Sequence, residues 1–68
     1  MANVIVIELP QRIDGEFQRH MSVYSHGILV DHLTVPMDKV ESVTTLVLHR
    51  LVDCTVYDKM EIKGANRL

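Results

Sequence analysis

Sixty-eight residues contain one cysteine, no tryptophan, three glycines and two prolines, and aromatic side chains make up 4% of the chain. A single cysteine, Cys54, excludes an intramolecular disulfide, and with no leader pattern at the start it points to a reducing, cytoplasmic setting. Sparse Gly and Pro, with no repeat or charge run, exclude a linker or low-complexity chain. The longest apolar run, Val4-Ile5-Val6-Ile7, falls far short of the roughly 20 residues of a bilayer span, so no membrane partner is expected. Nine acidic against seven basic residues leave a net charge of −2, which supplies no electrostatic drive toward nucleic acid and no acidic mimicry of it.

Catalytic patterns are missing too. Gly15, Gly27 and Gly64 stand singly at turn positions, so there is no phosphate-cradling loop. The carboxylates Glu8, Asp14, Glu16, Asp31 and Asp58 are scattered rather than paired for acid–base work. A chain of this length also struggles to enclose a substrate pocket alone. A non-catalytic protein without a cofactor is the expectation.

What is present is a run of strand signals. Val4 to Leu9 begins with four β-branched or apolar residues and reads as a strand that ends or bulges at Pro10, which has no amide donor. Asp14-Gly15 is a two-residue hairpin signal, pairing Arg12 with Phe17. With an unbroken register it also pairs Ile5 with Tyr24 and Val6 with Val23, and a bulge at Pro10 would shift these by one. Glu16–Tyr24 and Ile28–Val35 form a second hairpin around Ser25-His26-Gly27, read as a three-residue loop. That loop sets Tyr24 against Ile28, Met21 against Asp31, His20 against His32 and Phe17 against Val35. One face then carries Phe17, Met21, Val23, Leu29, Leu33 and Val35, with Arg19 and Asp31 close enough diagonally for an ion pair.

Asp38 with Glu41 resembles a capping box, and Val40, Val43, Val47, Leu51 and Cys54 recur at helical spacing behind it. Val56, Met60 and Ile62 alternate with polar residues and read as a last strand ending at Gly64, with 64–68 a frayed tail; the rival reading continues the helix through Lys63. The reading is therefore a single α+β domain over 1–68. It has two layers, with an antiparallel sheet of about four strands in the order β-β-β-α-β and the helix packed on one face.

The histidines are the most suggestive polar residues. His20 and His32, paired across strands, suit a pH-sensitive contact, or a zinc or nickel site completed by Asp31 or a second copy. No tight structural-zinc spacing accompanies them, so no metal is assigned. Cys54, with His49 and Asp53 near in sequence, sits at a helix end on the apolar side, where a helix C-terminus opposes thiolate formation. It reads as a small buried hydrophobe. His49, Arg50, Lys39 and Lys63 read as solvated surface.

One helix covers only one face of such a sheet. The other is expected to bear Ile5, Ile7, Tyr24, Ile28 and Val30, a semi-apolar patch of the kind that marks a contact surface. The expected function is a protein-interaction module of the regulator or inhibitor type, a size common among phage-encoded proteins, acting as a homodimer through that face. The alternative is single-stranded nucleic-acid binding by Tyr24, His20, His32 and Tyr57, with Arg12, Arg19, Lys59, Lys63 and Arg67 on phosphates. No proline follows Met1, as it would in the small tautomerases, and the strand order is not that of ribbon-helix-helix repressors.

Overall fold

The structure is a computed structural model that describes residues 3–60. The 64–68 tail, the end of the expected last strand at 61–63, and the side chains of Lys63 and Arg67 lie outside the described residues. Within them is a small α+β domain: β1 (Asn3–Ile7), β2 (Gln11–Ile13), β3 (Glu16–Ser25), β4 (Ile28–Pro36), a 3-10 turn (Met37–Lys39), α1 (Val40–Leu48) and β5 (Cys54–Asp58).

β3 is the hub of the sheet. β1 and β2 both run antiparallel along one of its edges and β4 along the other, while β5 joins the far side of β1 in parallel. The expected antiparallel sheet thus acquires one parallel pair, made possible by the crossover through α1 from one edge to the other. β1 and β2 behave as one strand interrupted by a bulge. Gln11 faces Gln18 and Ile7 faces Met21, so four steps on one strand answer three on the other. The extra residue falls in Glu8-Leu9-Pro10, where Pro10 cannot donate to a ladder.

That bulge shifts β1 by one residue, and a one-residue slip exchanges the two faces of a strand. Ile5 and Ile7 lie opposite Val23 and Met21, on the side of α1, and Ile5 is 0% exposed. They are core residues, not members of an accessible face. Val4 and Val6, opposite Tyr24 and Ser22, take the helix-free side.

The β3–β4 turn differs from expectation in a compensating way. The loop has two residues, with His26 at φ 52° and Gly27 at φ 82°, so Ser25 pairs with Ile28 and Tyr24 with Leu29. Positive φ at both positions gives the turn whose twist matches the strands it joins, as at Asp14 (φ 52°) and Gly15 (φ 80°). A bulge beyond Tyr24 then leaves Val30 as an extra residue and pairs Val23 with Asp31 and Met21 with Leu33. From Asp31 onward each residue keeps its expected face, whereas Ile28 and Leu29 exchange theirs.

The core consists of Ile5, Ile7, Met21, Val23, Val35 and Val40, with Leu33, Val43, Val47, Leu51 and Cys54 packed against it. Val40, Val43, Val47 and Leu51 are thus the stripe the helical spacing marks. The capping box does not form: Asp38 lies in the 3-10 turn, and Lys39 takes the cap position without a side-chain hydrogen bond. α1 also stops at Leu48 rather than running to Cys54. Its end tightens, Arg50 N donating to Val47 O at 3.0 Å, and Asp53 at φ 52° turns the chain into β5. Asn3 fastens this turn, donating from N to Asp53 O (3.1 Å) and from Nδ2 to Val52 O (2.7 Å). After β5, Lys59 and Met60 adopt helical backbone, so the alternation read through Met60 ends at Asp58.

Arg19 is the one buried charged residue among those described. Its guanidinium meets Asp58 with two bonds, Nη2–Oδ1 at 2.6 Å and Nη1–Oδ2 at 3.1 Å, and Nε donates to Glu8 O at 2.7 Å. The partner is therefore Asp58, not Asp31, whose Oδ1 instead accepts the backbone N–H of His32 at 2.8 Å. Register explains the exchange: Asp58 lies beside Ile7 on the helix side of the sheet, level with Arg19 across the bulge.

Candidate functional site

Helix α1 packs on the face bearing Ile5, Ile7, Met21, Val23 and Val35. The opposite face has no covering element among the described residues. Its occupants follow from register. Across β4, β3, β1 and β5, one row runs Leu29, Tyr24, Val4, Thr55, and the next His32, Ser22, Val6, Tyr57. A third row places Thr34 beside His20, with Glu8 beyond it, since Glu8 N donates to His20 O at 2.8 Å. Lys59 Nζ closes that end on Glu8 Oε1 at 2.6 Å.

The face is thus apolar and aromatic toward the β3–β4 tip and polar toward Pro10. Leu29, Val30 and Tyr57 are exposed, while Val4, Val6 and Tyr24 are half-buried by their neighbours. Beta-branched side chains at 4 and 6 brace Tyr24 from one strand and Leu29 flanks it from the other, an arrangement suited to an anchor.

His20 and His32 are brought together, though diagonally rather than as direct partners. Their rings stack with centroids 5.2 Å apart and 26° between planes. His20 Nδ1 and Thr34 Oγ1 share a hydrogen bond of 3.0 Å, which fixes the ring beside the open face. Among the described residues no group of three or more His, Cys, Asp or Glu is placed to hold a metal ion. Asp31, the third ligand considered above, is engaged by the His32 amide.

The other residues singled out disperse. Ile28 is 66% exposed at the hairpin tip, but its partner is Ser25, so it sits on the opposite face from Tyr24. Val30 occupies the bulge beside Leu29. His26 is in the turn, and Lys39, His49 and Arg50 are exposed around α1, away from the open face. Arg12 stacks over Phe17, 5.9 Å from the ring centroid. Burial pushes the Cys54 thiol up from its ordinary pKa, opposite to what a nucleophile needs.

Val4, Val6 and Leu29 belong to the face but were not marked by the alternation of the sequence. The signal that finds Val4 and Val6 is Pro10, the residue able to shift the register of β1, while Leu29 follows from the two-residue turn at His26-Gly27. Compared with family models, with curated proteins and with solved structures, the chain has no significant match. No described helix is long and apolar enough to cross a membrane.

Proposed function

We propose that this chain is a non-catalytic, cytoplasmic protein-interaction module of the regulator or inhibitor type. It self-associates through the helix-free face of its sheet, and the site is centred on Tyr24 and Leu29 and extended by Val4, Val6, Val30 and Tyr57. One observation carries the reading: an aromatic and aliphatic sheet face stands uncovered among the described residues, in a domain with a small core. Domains of this size gain barely enough from one core to offset chain entropy, and a second copy supplies the missing contact. Ile28, on the opposite face, is not part of this site.

The test is molar mass by light scattering on a sizing column at neutral and mildly acidic pH. The reading expects a dimer at neutral pH and a monomer for Leu29→Asp, which places a charge in the apolar row without touching the core. A Leu29→Asp protein that stays dimeric would refute the assignment of this face. Weakening of the dimer at mildly acidic pH is the signature of the stacked His20 and His32 lying within it.

A second reading has one observation in its favour. Tyr24, Tyr57 and the stacked imidazoles share the open face, as stacking platforms for single-stranded nucleic acid do. Against it, Lys59 on that side is engaged with Glu8 and the net charge is −2. Binding of a fluorescein-labelled oligothymidylate that weakens steeply with salt would establish this reading in place of the first.

A further inference from the structure

His20 and His32 stand on the helix-free face with ring nitrogens to spare. His20 Nδ1 shares its hydrogen bond with Thr34 Oγ1 at 3.0 Å, which leaves Nε2 on the opposite side of the ring open. A hydrogen bond of this kind on one ring nitrogen is what orients histidine ligands in metal sites. His32 is exposed, and among the described residues no hydrogen bond engages either of its ring nitrogens.

The spacing of the rings fits a single ion. With Zn–N bonds of about 2.0–2.1 Å, two imidazoles on one tetrahedral zinc ion have ring centres roughly 5 Å apart. The centroids of His20 and His32 lie 5.2 Å apart. Their planes are those of a stack, tilted by 26°, so His32 has to turn about its Cβ–Cγ bond before both rings aim at one point. No hydrogen bond among the described residues opposes that turn. Imidazole pairs suit zinc, copper and nickel rather than magnesium or calcium, and the tetrahedral spacing selects zinc over the two metals that prefer tetragonal geometry. One chain supplies only these two ligands. Asp31 holds the His32 amide, and Glu8, beyond His20 in its row, holds Lys59. A closed zinc site needs four.

A second copy brings the other two. Two copies meeting face to face are related by a two-fold axis lying in the plane of contact. An axis along β3 and β4 sets each row against its own counterpart: Tyr24 and Leu29 meet Tyr24 and Leu29, and farther along His20 and His32 meet the same pair. Sheets stacked in this way lie about 10 Å apart, and an imidazole with its bond to zinc reaches about 6 Å from the backbone, so an ion midway is in range of both. We infer that His20 and His32 form half of a tetrahedral zinc site that the same pair from a second copy completes, so that zinc ties the dimer together. The inference rests on the helix-free face being the self-contact, and it names the ion that governs that contact.

The experiment strips the full chain with EDTA, removes the chelator and titrates zinc chloride by calorimetry at neutral pH. Uptake of one ion per two chains is expected. Sedimentation velocity over a dilution series then compares zinc with EDTA. A ligand bound only by the dimer tightens it by a factor of one plus its concentration over Kd, so free zinc at about ten times its Kd should lower the dimer dissociation constant about tenfold. His20→Gln and His32→Gln should each abolish the half-stoichiometric uptake, with circular dichroism reporting their folding. Cobalt chloride added to the unaltered chain should give the strong visible absorption of a tetrahedral ion, which covers the case in which a variant fails to fold.

No heat on zinc addition, one ion per chain with the mass unchanged, a cobalt spectrum like that of the octahedral aqueous ion, or uptake undiminished in His32→Gln would overturn the inference. Leu29→Asp keeps its failure apart from that of the contact face. A dimer in EDTA that Leu29→Asp breaks, with no zinc uptake by the parent chain, refutes the zinc site and leaves the face standing. A Leu29→Asp protein still dimeric in EDTA refutes the face, whereas uptake of one ion per two chains that His32→Gln abolishes would still establish the site.

Discussion

Removing the carboxylate of Asp58 is the sharpest test of what holds the two ends of the chain together. The Arg19 and Asp58 side chains are 7% and 18% exposed, and the pair is bidentate. Asp58→Ala leaves the guanidinium in place, still donating to Glu8 O, with two donors facing a cavity it cannot leave. Deleting one partner of a buried pair costs about 3–5 kcal/mol, and the residual exposure of Asp58 places this case near 3 kcal/mol. At about 0.05–0.15 kcal/mol per residue, a 68-residue domain has roughly 3–10 kcal/mol in total. The loss is therefore a large share of the whole. With a urea slope of about 1 kcal/mol/M for so small a domain, the unfolding midpoint should fall by about 3 M. Arg19→Met combined with Asp58→Leu should recover most of the loss, because apolar replacements remove the charge as well as its partner. About 1 kcal/mol stays lost for the Glu8 carbonyl that Arg19 no longer meets. Circular dichroism across a urea titration reads all three proteins. An Asp58→Ala midpoint lower by less than about 1 M would mean the pair behaves as a surface ion pair, and the reasoning would fail.

Ile5→Ala empties the most enclosed site of the core, and should cost about 2–5 kcal/mol by urea titration, whereas Val4→Ala, one residue away on the open face, should cost under about 1.5 kcal/mol. Equal costs would mean the β1 register is shifted from that described. Gly27→Ala should destabilise by about 1 kcal/mol, since φ of 82° strains any Cβ although nothing lies within 4 Å of it. A thermal melt unchanged from the parent would argue against the two-residue turn. Because burial raises the Cys54 pKa, less thiolate is present at neutral pH in the folded protein than in the unfolded chain. Iodoacetamide should thus modify the native protein more slowly than the urea-unfolded one, and the native rate should rise with pH; equal rates would place Cys54 outside the core.

The elements themselves were legible because their signals are local. Asp14-Gly15 fixes the first turn, alternation from Glu16 to Val35 writes the long hairpin, and Val40, Val43 and Val47 trace one side of a helix. Registers were less so. A single bulged residue at Glu8-Leu9-Pro10 decides whether Ile5 or Val4 is buried, and both are equally apolar, so hydrophobic pattern cannot choose between them. At the β3–β4 tip, loop lengths of two and three both satisfy Gly27, and only strand twist prefers the shorter.

The Arg19–Asp58 pair was invisible for another reason. It joins residues brought level by the parallel docking of β5 on β1, a long-range event that leaves no spacing to read. Asp58 is a charge on the same side of its strand as Val56, and the buried guanidinium of Arg19 is the physical account of that anomaly. The helix ended before the periodicity did because Leu51 and Cys54 reach the same core from the return segment and from β5. Spacing records which face a residue meets, not the backbone that delivers it there.

The most direct test of the helix-free face as a contact surface is methyl relaxation in the presence of a soluble paramagnetic chelate. Leu46 and Val52, 65% and 77% exposed around α1, provide the internal standard of free surface. The account predicts that the methyls of Val4, Val6, Leu29 and Val30 relax far less than those of Leu46 and Val52 in the wild-type protein, and that Leu29→Asp raises the relaxation of the other three. Equal enhancement at Leu29, Val30, Leu46 and Val52 in the wild type would show the face bare in solution and contradict the account.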